Sequence, residues 1–351
     1  DASEGAPQAL ALFGPGGGFG GNKDPKINWY VRQQTDERLS MLTPDLMGDY
    51  IDPNTGGISF EHTDVMLPGN FPLEVAVRRR LSQGWKYHNT VSTELGDWVL
   101  DVPRITELIP MEGGIAVNHC TYPQQPPSIS VTVPGSGGGE PNEVQVPYKD
   151  YSDGMHLHVP GAGSQQVLRQ PTGGQWPSGT AMVTNQYWKA TCLAATAQTG
   201  WIEGISFTSP SGSVYRFDKV KLVRATDGIA GNQGSYARVY VVWLATRATD
   251  VNGNTVDYTY DSSNRLTRIE ASDGRVVTLS YSGTSHLISS VTANGRSWTY
   301  SYTTNGSYAR LDGVTRPDGK AWTFTNLAGM RVEPERGTCV ATDTSMSMTH
   351  P

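Results

Sequence analysis

The chain has 351 residues and a formal net charge of −6, with 17% charged side chains, 40 Gly, 22 Pro, 16 Tyr and 9 Trp. This composition fits a turn-rich, all-β, extracellular protein, and helical heptads are absent. Arg78-Arg79-Arg80 is the one basic cluster, so a nucleic-acid partner has little support, and no apolar stretch approaches the length of a membrane span.

Residues 1–40 form a Gly/Pro-rich arm that runs through Gly14 to Gly21. It lacks an apolar period and costs entropy to order, so it reads as a linker or an arm laid over other surfaces. It is not a phosphate cradle, because no alternating strand and helix units follow it. Between 41 and 110, Ile58, Phe60 and His62 share a strand face, which makes His62 a packed residue rather than a ligand partner of Glu61 and Asp64. Leu73, Val75 and Val77 alternate in a second strand, and Arg78-Arg79-Arg80 reads as its solvated end.

Residues 111–200 are expected to be a loop-rich insertion of short strands, among them Ile129, Val131 and Val133, between Gly/Pro turns. Trp176, Tyr187 and Trp188 are candidates for an aromatic sugar platform, set against ordinary packing between strands. His156 and His158 lie on one face of a strand, a spacing usable for Zn or Cu with Asp153 or His119. A surface pair is the better reading, since zinc sites need three or four converging ligands. No cofactor is expected. Gly-x-Ser-x-Gly is absent, and Ser209 to Ser213 lacks the strand-elbow-helix setting of a nucleophile, so no enzyme is expected.

The region 201–351 carries the strongest pattern. Gly253, Gly274, Gly295 and Gly319 recur at spacings of 21, 21 and 24 residues. Three, five and seven positions after each stand Val256, Tyr258, Tyr260; Val277, Leu279, Tyr281; Trp298, Tyr300, Tyr302; and Trp322, Phe324, Asn326, with polar residues between. Such period-two alternation predicts strands with one apolar-aromatic face and one Thr/Ser face. Asn252-Gly253, Asp273-Gly274, Asn294-Gly295 and Asp318-Gly319 read as the tips of two-residue hairpin loops. A second apolar run follows in each unit: Leu266 with Ile269, Leu287 with Val291, and Leu311 with Val314. A fainter copy starts at Gly212, with Tyr215 and Phe217. A fixed period of this size marks units that must stack to bury their faces.

The unit at 253–274, with Tyr260-Asp261 followed by Asn264, Arg265 and Leu266, resembles the YD repeat of the Rhs family. Ser282 and Thr303 stand where the next two units would carry the acidic residue. Residues 52–85, with Asp64 ahead of Pro68-Gly69, and residues 96–105, with Gly96, Trp98 and Pro103-Arg104-Ile105, are similar to the opening segment of bacterial Rhs proteins. The resemblance implies a spiralling antiparallel sheet of repeated hairpins, part of a hollow β-shell like the toxin-complex cocoons and teneurin shells. It divides the chain into the arm 1–40, an opening β segment 41–110, the insertion 111–200 and a YD-repeat sheet 201–351.

The function it implies is structural: the wall of a shell that encapsulates and delivers a C-terminal effector. The partners would be the downstream polypeptide or that cargo, and the chain is expected to be the opening portion of a longer secreted or cell-surface protein whose signal peptide has been removed. Tyr258, Tyr260, Tyr281, Trp298, Tyr300, Tyr302, Trp322 and Phe324 are the expected wall-packing ladder. Of Cys120, Cys192 and Cys339, the first two lie between the Rhs-like segments and are the expected disulfide. The alternatives are a glycan-binding adhesin built on the insertion, and self-association through open sheet edges.

Overall fold

The structure, a computed structural model, describes residues 49–51, 58–83, 93–110, 120–121, 128–133, 142–147, 152, 154–169, 176–195, 202–224, 229–231, 234–236, 238–305, 308–325 and 347–349. The arm 1–40, Asp153, His119, Asn326 and Cys339 lie outside them. Every regular element among the described residues is a strand. β1 (Asp49–Ile51), β2 (Ile58–Leu67), β3 (Val75–Gln83) and β4 (Val99–Leu100) make a four-stranded antiparallel sheet. β5 (Arg104–Pro110) leaves it for a second sheet, while β6 (Ser128–Val133) and β7 (Asn142–Pro147) pair with each other.

A closed barrel follows. β8 (Met155–Val159), β9 (Gly163–Arg169), β10 (Met182–Thr184), β11 (Lys189–Leu193), β12 (Gly204–Thr208) and β13 (Val214–Arg224) run from β5 in antiparallel order. After the short pair β14 (Ile229–Gly231) and β15 (Gly234–Tyr236), the long β16 (Arg238–Thr249) pairs with β13 on one side and with β5 on the other. Eight strands thus close on themselves without an edge, a size at which side chains fill the interior. Ile105, Leu157, Met182, Ile205, Phe207, Phe217, Val241 and Trp243 fill it here.

This ring corrects two boundaries drawn from the sequence. β8 to β11, from the supposed insertion, and β12, β13 and β16, from the supposed repeat sheet, are neighbours in one barrel. Gly212, Tyr215 and Phe217, which resemble the repeat, therefore belong to the barrel, with Phe217 in its interior. Few residues of 142–193 form long apolar runs, so the closure of their short strands is invisible to local pattern.

The repeat sheet grows from the second half of β16. β17 (Thr255–Tyr260), β18 (Leu266–Ala271), β19 (Val276–Tyr281), β20 (Ile288–Ala293), β21 (Arg296–Asn305), β22 (Tyr308–Thr315), β23 (Ala321–Thr325) and β24 (Ser347–Thr349) follow in strict sequence order. The four Gly dipeptides are hairpin tips, as their chemistry predicts, but only one has the predicted length. Ala293 pairs directly with Arg296, and Asn294 and Gly295 both have positive φ, a two-residue loop. At the other three the amide of residue i bonds the carbonyl of i+4, as in Ala271 N to Arg275 O at 2.9 Å, and only the glycine has positive φ. These are three-residue loops, in which a single left-handed position suffices.

A second departure explains the spacing of the apolar runs. Leu266 and Ile269 are three apart, which would place them on opposite faces of a regular strand. Thr259 pairs with Arg268 but Tyr260 with Leu266, so Thr267 is an extra bulge residue that returns both side chains to one face. The bulge recurs where Ser280 and Tyr281 meet Ser290 and Ile288, and where Ser301 and Tyr302 meet Gly313 and Leu311. It also corrects the second unit, in which Ile288, not Leu287, is the buried residue.

The apolar face of the repeat sheet is covered rather than open. Val65, Leu67, Val75, Val77, Leu81, Leu95, Trp98 and Leu100 of the small sheet and its loop share one core with Val256, Ile269, Val277, Leu279, Val291, Val314, Trp322 and Phe324. Two sheets thus pack face to face, and each fully buried aliphatic side chain contributes roughly 1.5–3 kcal/mol.

Candidate functional site

The part of the molecule with the most specific geometry is the seam between the small sheet and the repeat sheet. Along β3, Val75, Val77, Arg79 and Leu81 alternate onto the same inward face, so the expected solvated arginine is instead 1% exposed. Across from it, Thr63 pairs with Arg78 and Val65 with Val77, leaving Asp64 as a bulge residue. Asp64 accepts the Arg79 Nε at 3.0 Å and the Tyr300 hydroxyl at 3.0 Å. The guanidinium lies 4.6 Å from the Trp98 ring centre, 4.8 Å from Phe324 and 5.4 Å from Trp322. Its two Nη atoms have no hydrogen-bond partner, so aromatic faces replace them with cation–π contact. Burial, and then the neighbouring Asp64, push the Tyr300 hydroxyl well above its ordinary pKa. His62 packs edge-on against Trp322 at 4.6 Å, as its strand face predicts.

The repeat tyrosines carry a second device. The bulge interrupts the ladder between one strand and the next, and each unit's last Tyr repairs it from above. Tyr260 Oη donates to Ala245 O at 2.9 Å, Tyr281 Oη to Leu266 O at 2.9 Å, and Tyr302 Oη to Ile288 O at 2.8 Å. Asp261, beside Tyr260, shapes the opposite rim. Its Oδ1 accepts the amides of Ser263 and Arg265, and its Oδ2 accepts Arg265 Nε at 2.7 Å. Arg265 then reaches into the next unit, donating to the carbonyls of Gly283 and Ser285 and lying 4.8 Å from the Tyr281 ring. One Asp-Arg pair therefore fastens unit to unit, which accounts for the Tyr-Asp signature mechanically. Where Ser282 and Thr303 replace the Asp, no such pair exists among the described residues.

The small sheet grips the repeats at two further points. Arg275, at the tip of the second unit, donates to Leu67 O and Leu73 O and lies 4.6 Å from the Phe71 ring. Gly69 leaves room for it, since a Cβ there would sit 2.0 Å from the Arg275 Cζ. The loop before β4 meets the bulges: Ile288 N donates to Glu94 O at 2.9 Å and Leu311 N to Asp97 Oδ1 at 2.8 Å. Ile288 and Leu311 occupy the same place in their units, so the loop satisfies the two amides that the bulges free.

Burial raises the Asp97 carboxyl to about 6, against the lowering effect of its hydrogen bond from Leu311. A carboxyl with a raised native pKa opposes folding above that pKa and ceases to do so as pH falls toward the unfolded value near 4. Asp97→Asn keeps the acceptor and mimics the protonated form. It is expected to stabilise the protein at pH 8 by on the order of 2 kcal/mol and to be neutral near pH 4, as read by urea midpoints at the two pH values. Equal effects at both would contradict the assignment.

The other predicted site residues do not assemble into a ligand site. Trp188 is 6% exposed in the barrel core, 5.5 Å from the Tyr215 ring, and Trp176 packs on the same core. Tyr187 is 82% exposed at the turn between β10 and β11, with φ of 66°. His158 is buried and its Nε2 contacts Asp101 Oδ1. Burial lowers its pKa, against the raising effect of the hydrogen bond to Asp101. Arg104, which sits beside this pair, is itself lowered to about 10, by burial first and the nearby Arg80 second. His156 points from the same face, and no cluster of three or more metal-ligating side chains is found among the described residues. Cys120 and Cys192 are bonded, with Cα atoms 5.5 Å apart, and Glu203 latches the same corner by accepting the amides of Cys120 and Thr121. No helix among the described residues is long and apolar enough to cross a membrane.

Comparison with known proteins bears on the repeats directly. The RHS Repeat family matches residues 244–276, from the end of β16 to the first residue of β19. No curated protein matches the chain. Among solved structures, that of TcdB2-TccC3-TEV aligns with 79% of this chain at 11% identity and a TM-score of 0.15, and the chain spans 15% of its length. The comparison therefore reaches as far as the repeat itself, whose Tyr258, Tyr260, Asp261 and Arg265 all lie in the matched segment: residues 244–276 of this chain are an RHS Repeat.

Proposed function

We propose that this chain is a wall segment of a secreted β-shell, in which a longer polypeptide encloses and delivers a C-terminal effector. The observation that carries the structural part is the coupling of units: Tyr260, Tyr281 and Tyr302, the last Tyr of three successive units, each bond a carbonyl of the strand before, so the sheet extends by adding the same unit. The sealed apolar face and the Thr/Ser outer face suit a wall with lining on one side and solvent on the other. Enclosure and delivery rest on the Rhs resemblance. Export is supported by the Cys120–Cys192 bond, since disulfides persist in oxidising compartments.

Limited proteolysis of the native polypeptide tests this reading, combined with electron microscopy of the same sample. Closed hollow particles in which the segment after Pro351 survives protease until the particle is denatured are expected. Filaments, or a downstream segment cut as fast as a free peptide, would overturn encapsulation. Of the candidates for the glycan alternative, Trp188 packs in the barrel core, Trp176 is partly buried against it, and Tyr187 is exposed.

A further inference from the structure

Where the barrel closes and the repeat sheet departs, the outer wall holds a groove of about 440 Å³ lined by Ser206, Val214, Arg216, Thr246, Arg247, Thr249 and Asp257. Its residues come from four adjacent strands, and register sets them in one row: Ser206 opposite Arg216, Arg216 opposite Arg247, Arg247 opposite Asp257. Arg216 and Arg247 thus stand directly opposite each other on neighbouring strands, each balanced by an aspartate, Asp218 and Asp257. The ladder is also distorted here. Register shifts on either side of Phe217 leave Asp218 and Thr246 as bulge residues, and bulges commonly re-aim side chains beside binding sites.

The hydrogen bonds show which groups remain for a ligand. Asp218 is nearly buried, with one oxygen taken by Arg216 Nε at 2.5 Å and the other by the Thr246 hydroxyl. Asp257 spends both oxygens on Arg247, at 2.5 Å from Nε and 3.0 Å from Nη2. The acceptors are thus consumed within the wall. Among the described residues, both Nη atoms of Arg216 and the Nη1 of Arg247 have no partner, and the two side chains are 49% and 54% exposed. The groove presents guanidinium donors flanked by the hydroxyls of Ser206 and Thr249.

We propose that this groove binds a carboxylate-bearing sugar, the carboxylate lying between Arg216 and Arg247 and the sugar hydroxyls meeting Ser206, Thr249 and Thr246. A planar carboxylate matches the guanidinium N–H groups that Arg216 and Arg247 leave open beyond their pairs with Asp218 and Asp257. The hydroxyl flanks and a volume typical of small-ligand sites suit a polyhydroxylated ring rather than a bare ion. The inference does not depend on the shell reading, because it concerns the outer wall.

Isothermal titration calorimetry on the full chain, with trigalacturonate as probe and maltotriose and sodium sulfate as controls, tests it. Trigalacturonate is expected to bind, and Arg216→Gln and Arg247→Gln are each expected to weaken binding by about tenfold or more, as for a lost charged hydrogen bond. Arg247→Gln should keep a melting temperature close to the parent, since its pair with Asp257 is exposed, whereas Arg216→Gln leaves the buried Asp218 unpaired and should lower it. Absence of uronate binding, equal binding of maltotriose, equal affinity for sulfate, or full affinity in both variants would each overturn the proposal.

Discussion

Asp64→Ala is expected to cost about 3–5 kcal/mol, the penalty for removing one partner of a buried ion pair. The side chains of Asp64 and Arg79 are 2% and 1% exposed, and Asp64 supplies every hydrogen bond that the Arg79 side chain makes. Without it a guanidinium remains in a cage of Trp98, Trp322 and Phe324 with no counter-charge, and the Tyr300 hydroxyl loses its acceptor as well. The double variant Asp64→Leu with Arg79→Met should recover most of the loss, because well-packed apolar residues commonly replace a buried pair without penalty. Urea denaturation of the two variants measures both arms. A single variant within about 1 kcal/mol of the parent would show that water reaches the cage.

Gly96→Ala is expected to cost roughly 3 kcal/mol and to release the loop that pins the repeats. Gly96 has φ of 74°, where a Cβ alone costs about 1–2 kcal/mol. That Cβ would also lie 2.9 Å from the Ala309 carbonyl oxygen and 3.2 Å from the Leu311 nitrogen. Both are backbone atoms of a paired strand, so the loop rather than β22 must move. Its displacement breaks the bonds from Ile288 N to Glu94 O and from Leu311 N to Asp97 Oδ1. Hydrogen exchange should therefore accelerate at the Ile288 and Leu311 amides while barrel amides such as Leu157 keep their protection. Unchanged protection at the two bulge amides would refute the pinning role.

Much of this arrangement was legible in the residues. Tyr258, Tyr281, Tyr300 and Trp322 share the face that their two-residue spacing assigns, and the four Asn-Gly and Asp-Gly pairs each mark a tip. Arg79 stands two residues from Val77 and two from Leu81, but a charge at that position reads as a strand end until a counter-charge is known. The bulges were signalled too, by the three-residue step from Leu266 to Ile269. A period of two alone cannot tell that step from noise. The tip loops differ because Asn294 takes positive φ while Asp273 does not, a choice set by strand register rather than by the dipeptide.

The barrel was not legible. Its strands β10 and β11 are three and five residues long, and Trp188 gives no local sign that it faces an interior rather than a ligand. Nor did any local feature mark the pairing of β5 with β16, more than a hundred residues apart.

Taken alone, the amino-acid order determined the aromatic strands of the repeats, the positions of the Gly turns before them, and the division of each repeat into an aromatic face and a Thr/Ser face, because these follow from backbone geometry over two to five residues. Only the tertiary structure decided that the aromatic face is sealed by β2 to β4 and the loop before β4, that Arg79 lies inside the seal, and that β13 and β16 close a barrel. Those outcomes depend on which distant surfaces meet. Arg275 reaches Leu67 across a separation of 208 residues, and no local period encodes a partner that far away.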